Sequence, residues 1–177
     1  MSIKDLIEDK HTEAENTLFM KAVFQNKVTE EVWMDFTFNK MLWYNAIEIK
    51  ARSEGLLEDL HDIDRTYKLY EDYREINRSD SHLEFRRVSL DYFHYILNLK
   101  SGKVLAHLYT WYMGDLSGGK MIKKVINAPH RSLEFNDPDI LKQNIMNKID
   151  QNLVDEIRIS FDWAINIMKE YDKYFKD

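Results

Sequence analysis

The spacing of apolar residues follows the helical period almost throughout the chain. In the first segment the apolar stripe runs from Ile3 through Ile7 and Ala14 and continues to Leu18 and Ala22. A second long stripe near the C-terminus comprises Leu153, Ile157, Phe161, Ala164, Met168 and Tyr171. No segment alternates convincingly with the two-residue period of a strand. The pattern therefore predicts an all-α fold.

Residues with capping preferences indicate where the helices begin and end. Ser2, with Asp5 three positions later, predicts a capping box at the start of the first helix. Thr29 predicts the start of a second helix, which extends to about residue 53 and stops near Gly55. Further helices are expected over 57–76, 82–99, 102–127, 138–150 and 153–175, with a loop between Pro129 and Pro138. Neither a repeat nor a linker divides the chain, so one domain over 1–177 is expected.

Composition narrows the class of protein. The 177 residues are 44% hydrophobic, with two prolines and five glycines, which suits a helical core. The absence of cysteine excludes disulfides, thiolate nucleophiles, iron–sulfur clusters and cysteine-bound zinc. The net charge of −6 gives no overall reason to expect nucleic acid as a partner. Because no signal peptide or membrane-spanning run is evident, a cytoplasmic monomer without a membrane partner is expected.

Three of the five glycines lie within nine residues, "YMGDLSGGK" at 112–120, inside a predicted helix. Each glycine costs a helix about 1 kcal/mol relative to alanine, so the helix is expected to be weakened or broken here. Glycine also permits a kink in a helix. Gly114 and Gly118 are four residues apart and share a face. Such a bare face can admit a planar ligand, and the alternative is close packing against another helix.

A histidine interrupts the apolar stripe of the first helix. His11 lies between Ile7 and Ala14, so it is predicted to face inward. Glu15 follows one turn later on the same face, where its carboxylate can fix the imidazole tautomer. The ring is interpreted either as a hydrogen-bonded core histidine or as a ligand to a metal or a haem iron.

At this point the motifs carry a resemblance to a known family. "LAHLYTWYMGDLSGGK" closely resembles the signature of the haem oxygenases, whose glycine-rich distal helix covers the haem. "KHTEAENTLFM" resembles the segment that supplies their proximal histidine, and "VTEEVWMDFTFNKMLWYNAIE" matches in spacing. The resemblance covers most of the chain and is strongest over 4–48 and 104–126. It implies a helical fold with haem between a proximal N-terminal helix and a kinked distal helix.

The resemblance also implies an activity. Haem oxygenases bind haem b as substrate and cofactor, and they use O2 and electrons to produce biliverdin, carbon monoxide and ferrous iron. By motif position, His11 is the proximal iron ligand and Glu15 orients it. Asp115 orders distal waters and delivers protons, and Tyr44 extends that network. The haem-facing residues of the distal helix are Gly114, Ser117 and Gly118.

Four residues are expected at the haem propionates through the same resemblance: Lys4, Tyr109, Lys142 and Lys148. The chain departs from the family at two positions where an arginine is usual, which here are Trp111 and Met146. Because propionate anchoring helps to set the orientation of haem, the α isomer of biliverdin is only the default expectation.

Electrons are expected from another protein, because the chain has no flavin, NAD or iron–sulfur motif. A ferredoxin, a flavodoxin or a flavoprotein reductase would serve. Lys120, Lys123 and Lys124 are candidates for a local basic patch that receives an acidic donor. They could equally form a solvated helix end with favourable dipole interactions.

Two other functions remain open from the residues. "EDLH" (Glu58 to His61) and "DYFH" (Asp91 to His94) have the carboxylate-x-x-His spacing of helical di-iron proteins. Alternatively, the chain could bind haem without degrading it.

Overall fold

The computed structural model describes residues 2–76 and 83–176, and all regular elements in those ranges are helical, which confirms the all-α prediction. The α-helices are α1 (Ile3–Glu15), α2 (Leu18–Phe24), α3 (Glu30–Ser53), α4 (Thr66–Ile76), α5 (Arg87–Leu97), α6 (Val104–Val125), α7 (Pro138–Met146) and α8 (Val154–Lys169). Short 3-10 helices lie at Arg131–Leu133, Gln151–Leu153 and Asp172–Tyr174.

The predicted helix starts at the N-terminal end are confirmed in detail. The Ser2 hydroxyl accepts the Asp5 backbone N–H at 3.2 Å, and the Asp5 carboxylate accepts the Ser2 backbone N–H at 2.8 Å. This reciprocal capping box begins α1. Thr29 caps α3 by accepting the Val32 backbone N–H at 3.3 Å. The chain leaves α3 through Gly55, whose φ of +69° is easily adopted only by glycine.

The first helix ends earlier than its apolar stripe suggests. Thr17 separates α1 from α2: its hydroxyl donates to the Ala14 carbonyl at 3.0 Å and accepts the Met20 backbone N–H at 3.2 Å. The Thr17 side chain therefore caps both the end of α1 and the start of α2. The apolar positions stay in phase across this break, so periodicity alone does not reveal it.

The later predicted helices are also longer than those observed: α6 spans Val104–Val125 rather than 102–127, and α7 ends at Met146 rather than at 150. Residues 57–65 form turns rather than helix, and α4 begins only at Thr66. The Glu48 carboxylate of α3 accepts the backbone N–H groups of Arg65 and Thr66 there, which satisfies the start of α4 from outside it. The segment predicted over 82–99 begins at a residue outside the described ranges, and α5 starts at Arg87. The last helix ends at Lys169 and is followed by a 3-10 turn.

Two helices support most of the others. α3 packs against α4, α5 and α6, while α8 packs against α1, α2, α5 and α6. α1 and α6 touch each other little, and both lie against α8. The largest fully buried side chains are mostly aromatic: Trp43, Arg65, Tyr44, Tyr92, Tyr112, Tyr171 and Phe19.

One apolar cluster runs from Ile7 in α1 to Tyr171 after α8. The assignment of 1–177 to a single domain stays a prediction. Among the described helices, none combines the length and apolar character that a bilayer-spanning segment requires.

Candidate functional site

The glycine-rich stretch forms an open face on a continuous helix. α6 runs without interruption from Val104 to Val125, so the expected break does not occur, and the kink stays a prediction. A Cβ at Gly114 would meet nothing within 4 Å, and one at Gly118 would meet only Ile122 Cδ1 of the same helix, at 4.0 Å. Ser117, on the same face, is exposed. The alternative of close helix packing is therefore wrong for Gly114 and Gly118.

Gly119 points in a different direction from the other two glycines. A Cβ at this position would meet the Leu133 side chain at 3.6 Å and the Leu133 carbonyl oxygen at 3.7 Å. These are ordinary contact distances. Gly119 therefore packs against the 3-10 helix at Arg131–Leu133, whereas the open face belongs to Gly114 and Gly118.

Asp115 comes directly after Gly114 in α6, and its side chain is buried in the protein. Its side chain is 9% exposed and is held by two residues of α3. The Lys40 ammonium donates to Oδ1 at 2.8 Å and to Oδ2 at 2.9 Å. The Tyr44 hydroxyl donates to Oδ2 at 2.5 Å. The structure thus joins Asp115 and Tyr44, which were predicted as partners, and adds Lys40, which was not predicted.

Burial fixes the protonation of the tyrosines at this site. Burial, reinforced by the Asp115 carboxylate, raises the pKa of Tyr44 well above its ordinary value, so Tyr44 stays protonated and donates. Tyr112 stacks on Tyr44 with ring centroids 4.7 Å apart and donates to Glu48 Oε1 at 2.8 Å. Burial, followed by the nearby Glu48 charge, likewise raises the pKa of Tyr112. Two buried carboxylates therefore each receive a hydrogen bond from a protonated tyrosine.

His11 occupies a more exposed position than its sequence pattern predicts. Its side chain is 51% exposed, so the expectation that it faces inward is wrong. Ile7 and Ala14 form the buried face of α1, and His11 lies beside them, 6.1 Å from the Phe161 ring of α8. His11 Nε2 is 3.7 Å from Glu15 Oε1, which is close enough for electrostatic attraction but too long for a hydrogen bond. The imidazole is thereby accessible to a ligand.

The four residues expected at the propionates lie in different environments. Lys4 is exposed near the start of α1, and Lys142 is half-buried on α7. Tyr109 is buried on α6, and burial raises its pKa. Lys148 pairs with Asp59 at 2.5 Å. Among the described residues no hydrogen bond joins these four side chains to one another.

Lys40, Glu48 and Tyr112 also belong to this site, and they were not predicted from the sequence. A signal for two of them was present: Lys40, Tyr44 and Glu48 recur every four residues and form one polar ridge on the buried side of α3. A polar ridge on a buried helix face needs partners from another element. Those partners come from α6 and, for Glu48, also from the backbone at the start of α4, and the spacing within α3 does not identify them.

A second buried polar network is centred on His107 of α6. His107 is fully buried, with Nδ1 at 2.7 Å from the Tyr92 hydroxyl and Nε2 at 3.0 Å from Glu156 Oε1. Trp111 donates its indole N–H to the Tyr92 hydroxyl at 3.0 Å. Trp111, which stands where the resemblance leads us to expect an arginine, is therefore buried and hydrogen-bonded within the protein.

The di-iron motifs do not assemble into a ligand set. Among residues 2–76 and 83–176, no three His, Asp or Glu side chains are grouped so that they could hold a metal ion. Asp91 pairs instead with Arg87 at 2.9 Å, and both His61 and His94 are exposed at the surface. A di-iron site uses several carboxylates and histidines around the metals, so these two motifs do not provide one.

The residues present do fit a flat, iron-bearing ligand. Histidine is a standard axial ligand of haem iron, and the His11 ring is accessible. At Gly114 there is no side chain to prevent close approach of a planar molecule to α6. Asp115 follows directly and brings a fixed carboxylate to this region. Each of these features taken separately, the accessible imidazole, the bare helix face and the fixed carboxylate, suits a flat, iron-bearing ligand.

Comparison with known proteins agrees with this interpretation. The sequence profile of the family described as heme oxygenase matches residues 1–175. Heme oxygenase 2 of Rattus norvegicus is 28% identical over 142 aligned positions, which cover 70% of this chain but only 42% of that protein. The heme oxygenase of Rhodella violacea is 25% identical over 195 positions, covering 93% of this chain and 83% of that protein.

The fold is also found among solved structures. Heme oxygenase-1 from the cyanobacterium Synechocystis sp., determined in complex with heme, superposes with a TM-score of 0.84. The match has 20% sequence identity and covers 97% of this chain and 91% of the other. At this identity the structural match establishes the fold, whereas the profile match over nearly all residues establishes the family. This chain belongs to the haem oxygenase family.

Proposed function

We propose that this chain is an enzyme that cleaves haem to biliverdin, carbon monoxide and ferrous iron. The observation that carries the proposal is the open Gly114–Gly118 face directly beside a buried, hydrogen-bonded Asp115. A protein that only binds haem would need the open face but not the buried carboxylate. When bound, haem would supply the iron at which O2 is activated and would itself be the substrate.

On the proximal side, His11 would ligate the haem iron. Only one ring nitrogen is needed for ligation, and the other can donate to a carboxylate. Glu15 lies 3.7 Å from the ring on the same face of α1, so a small rotamer change would bring it into hydrogen-bond range. That contact would fix the tautomer and the plane of the ring.

On the distal side, Asp115 and Tyr44 would manage protons. The Tyr44 hydroxyl occupies one acceptor position of Oδ2 and stays protonated, so it anchors the carboxylate rather than competing for its proton. Asp115 would then accept a hydrogen bond from a water molecule and relay protons from solvent through it. Gly114, Ser117 and Gly118 would line the haem plane above these groups.

The propionates require cations or donors at the pocket mouth. Lys4 and Lys142 carry charges at accessible positions, and the Tyr109 hydroxyl would add a donor. Lys148 is engaged with Asp59, so it would have to exchange that partner for a propionate. The α isomer stays the default product, although Trp111 and Met146 stand at two positions where the family usually has an arginine.

An external protein would supply the electrons, either a ferredoxin, a flavodoxin or a reductase. Lys120 and Lys124 are exposed and Lys123 is half-buried, so these lysines place positive charge near the C-terminal end of α6. Reversing these charges is expected to slow turnover with an acidic donor, most strongly at low ionic strength. Turnover with ascorbate would be unchanged, because a small reductant needs no docking surface. The cytoplasmic location and the monomeric state stay predictions.

The test is haem loading followed by reduction in air. One equivalent of haem is added, ascorbate or a ferredoxin system is supplied, and absorbance spectra and carbon monoxide release are recorded. The wild type is expected to convert the haem band to a biliverdin spectrum. His11→Ala is expected to lose the native haem spectrum, and Asp115→Asn to lower the rate by roughly a hundred-fold. If haem binds through His11 but stays intact with every donor, the chain is a haem carrier and the proposal is wrong.

A further inference from the structure

A buried lysine contacts the proposed proton-handling carboxylate. Lys40 lies in the middle of α3, and its side chain is 7% exposed. Its ammonium contacts both oxygens of Asp115, at 2.8 and 2.9 Å, and lies 5.0 Å from the centroid of the Tyr44 ring. Lysine is almost never buried unless it is paired, so the position requires an explanation.

Stability alone is a weak explanation for this pair. Removing two charges from water carries a large desolvation penalty, and an apolar pair of similar volume is often at least as stable. The pair also joins α3 to α6 at one particular point, directly beside the open glycine face. The pair carries a desolvation penalty and lies beside a functional surface, so its effect on Asp115 explains it better than stability does.

The contacts restrict Asp115 to one orientation. A carboxylate offers about four lone-pair positions. Lys40 uses one on each oxygen, and Tyr44 uses a second on Oδ2. Three positions are therefore occupied, and the remaining one is on Oδ1. A water bound to this carboxylate has one acceptor site available.

The other charged and titratable groups near the pair act on different partners. Glu48, the second carboxylate on α3, receives hydrogen bonds from Tyr112 and from the backbone of Arg65 and Thr66. Arg65 donates its guanidinium to Asp62 and to backbone carbonyls. Lys40 is thus the cation that contacts Asp115 within the described part of the chain.

We propose that Lys40 is a positioning residue for haem degradation, whose ammonium balances the charge of Asp115 and aims its free acceptor position toward the haem-binding face. This inference rests on the proposed function. Lys40 acts through Asp115 and not on haem itself. It should therefore affect the turnover rate far more than the affinity for haem.

The test compares three variants with the wild type. Lys40→Met removes the charge and the donors, Lys40→Arg keeps both, and Lys50→Met is the control. Lys50 lies on the same helix, is partly buried and pairs with Glu54 at 3.4 Å, away from Asp115. Lys40→Met is expected to lower turnover by roughly ten- to a hundred-fold, as for a misaligned catalytic group. Its haem affinity should stay within about three-fold, since the Lys40 ammonium is engaged with Asp115 and is proposed to act through it. Lys40→Arg should recover most of the rate.

A spectroscopic measurement separates positioning from a merely structural role. The C–O stretching band of the ferrous haem complex with carbon monoxide responds to charges and donors on the distal side. A broadened or shifted band is expected for Lys40→Met and for Asp115→Asn, but not for Lys50→Met. Wild-type turnover together with a wild-type band in Lys40→Met would overturn the inference.

Two further arms keep the test decisive. If Lys40→Met does not fold, Lys40→Gln replaces it, because the amide is neutral yet can still donate to Asp115. The same lower rate and altered band are expected, and wild-type values would contradict the inference. If the wild type binds haem without degrading it, the proposed function fails. The carbon monoxide band still decides whether Lys40 positions Asp115.

Discussion

At the scale of single residues, His107 illustrates how burial sets a charge state. Both ring nitrogens are engaged: Tyr92 can donate to Nδ1, and Nε2–H can donate to Glu156. Tyr95 also donates to the same Glu156 oxygen, at 2.7 Å. This assignment needs a neutral imidazole beside an ionised carboxylate. Burial lowers the pKa of His107, and the hydrogen bond from His107 lowers the pKa of Glu156.

These shifts predict loss of stability in acid. Below the ordinary histidine pKa of 6.5, unfolded His107 binds a proton that the native residue does not. The free energy of unfolding therefore decreases as the pH is lowered. Glu156 adds to the loss below its ordinary pKa of 4.5, because its native pKa is lowered. Urea unfolding across this range is expected to reveal a decline that starts near pH 6.5.

Two histidine variants test the origin of that decline. His107→Gln should show no decline until near pH 4.5, where Glu156 begins to act. His94→Gln, which changes an exposed histidine, should keep the wild-type curve. An unchanged curve in His107→Gln would mean that another group is responsible.

At the scale of elements, α6 combines a poor helix-forming sequence with a continuous helix. Its glycines face two different environments, since Gly119 packs against Leu133 whereas Gly114 has no neighbour. Tertiary contacts hold the helix on its other sides, through residues such as Tyr112 and Asp115. Packing therefore overrides the local preference for a break.

Replacing Gly114 or Gly119 by alanine should distinguish effects on protein stability from effects on haem binding. Gly114→Ala and Gly119→Ala are each expected to raise the unfolding free energy of the haem-free protein by about 0.5–1 kcal/mol, because alanine favours helix. Gly114→Ala should also weaken haem binding, because its methyl group projects from the open face. Gly119→Ala should bind haem like the wild type. Urea unfolding and haem titration measure both effects, and unaltered binding in Gly114→Ala would argue against the assigned face.

Many of the positions at which helices begin and end could be predicted, because the residues that fix them are close together in sequence. The Ser2 capping box, the Thr29 cap and the glycine after α3 act within a few residues, so the sequence contains the whole interaction. The break at Thr17 was missed because the apolar stripe stays in phase across it. The late start of α4 was missed because its first N–H groups are satisfied by Glu48, 17 residues away from Arg65.

The candidate site was predictable only in part, for the same reason. The contact between Asp115 and Tyr44 could be expected through the family resemblance, although 71 residues separate them. The contact of Lys40 with Asp115 could not be expected in this way, because the pair forms between two helices and no local rule connects the two residues. The exposure of His11 also depends on how α8 packs against α1, which helical periodicity does not determine.

At the scale of the whole molecule, α8 determines how α1 is held. Arg158 of α8 donates to both carboxylate oxygens of Asp9 at 2.7 Å and to the Leu6 carbonyl at 2.9 Å. The Arg158 hydrogen bonds lower the pKa of Asp9 to about 2. Because His11 follows Asp9 by half a turn, this contact helps to set where the proposed iron ligand lies.

Removing Arg158 should loosen α1 selectively. Arg158→Leu is expected to speed amide hydrogen exchange in α1 by about two- to five-fold, a modest effect typical of a partly exposed ion pair, and to leave α3 unchanged. Haem affinity should fall with it. Arg87→Leu, which removes an exposed pair with Asp91, serves as the control. Wild-type exchange in α1 of Arg158→Leu would mean that apolar packing alone fixes the helix.

The open face of α6 also has a thermodynamic consequence. Gly114, Ser117 and the 55%-exposed Met121 present backbone and apolar surface to water along one side of the helix. A flat apolar ligand that covers this surface releases the water, and such burial gives binding a negative heat-capacity change. Haem affinity measured at several temperatures should therefore give a curved van't Hoff plot. The binding enthalpy becomes more favourable as the protein warms, so heat strengthens the enthalpic part of binding while weakening the entropic part.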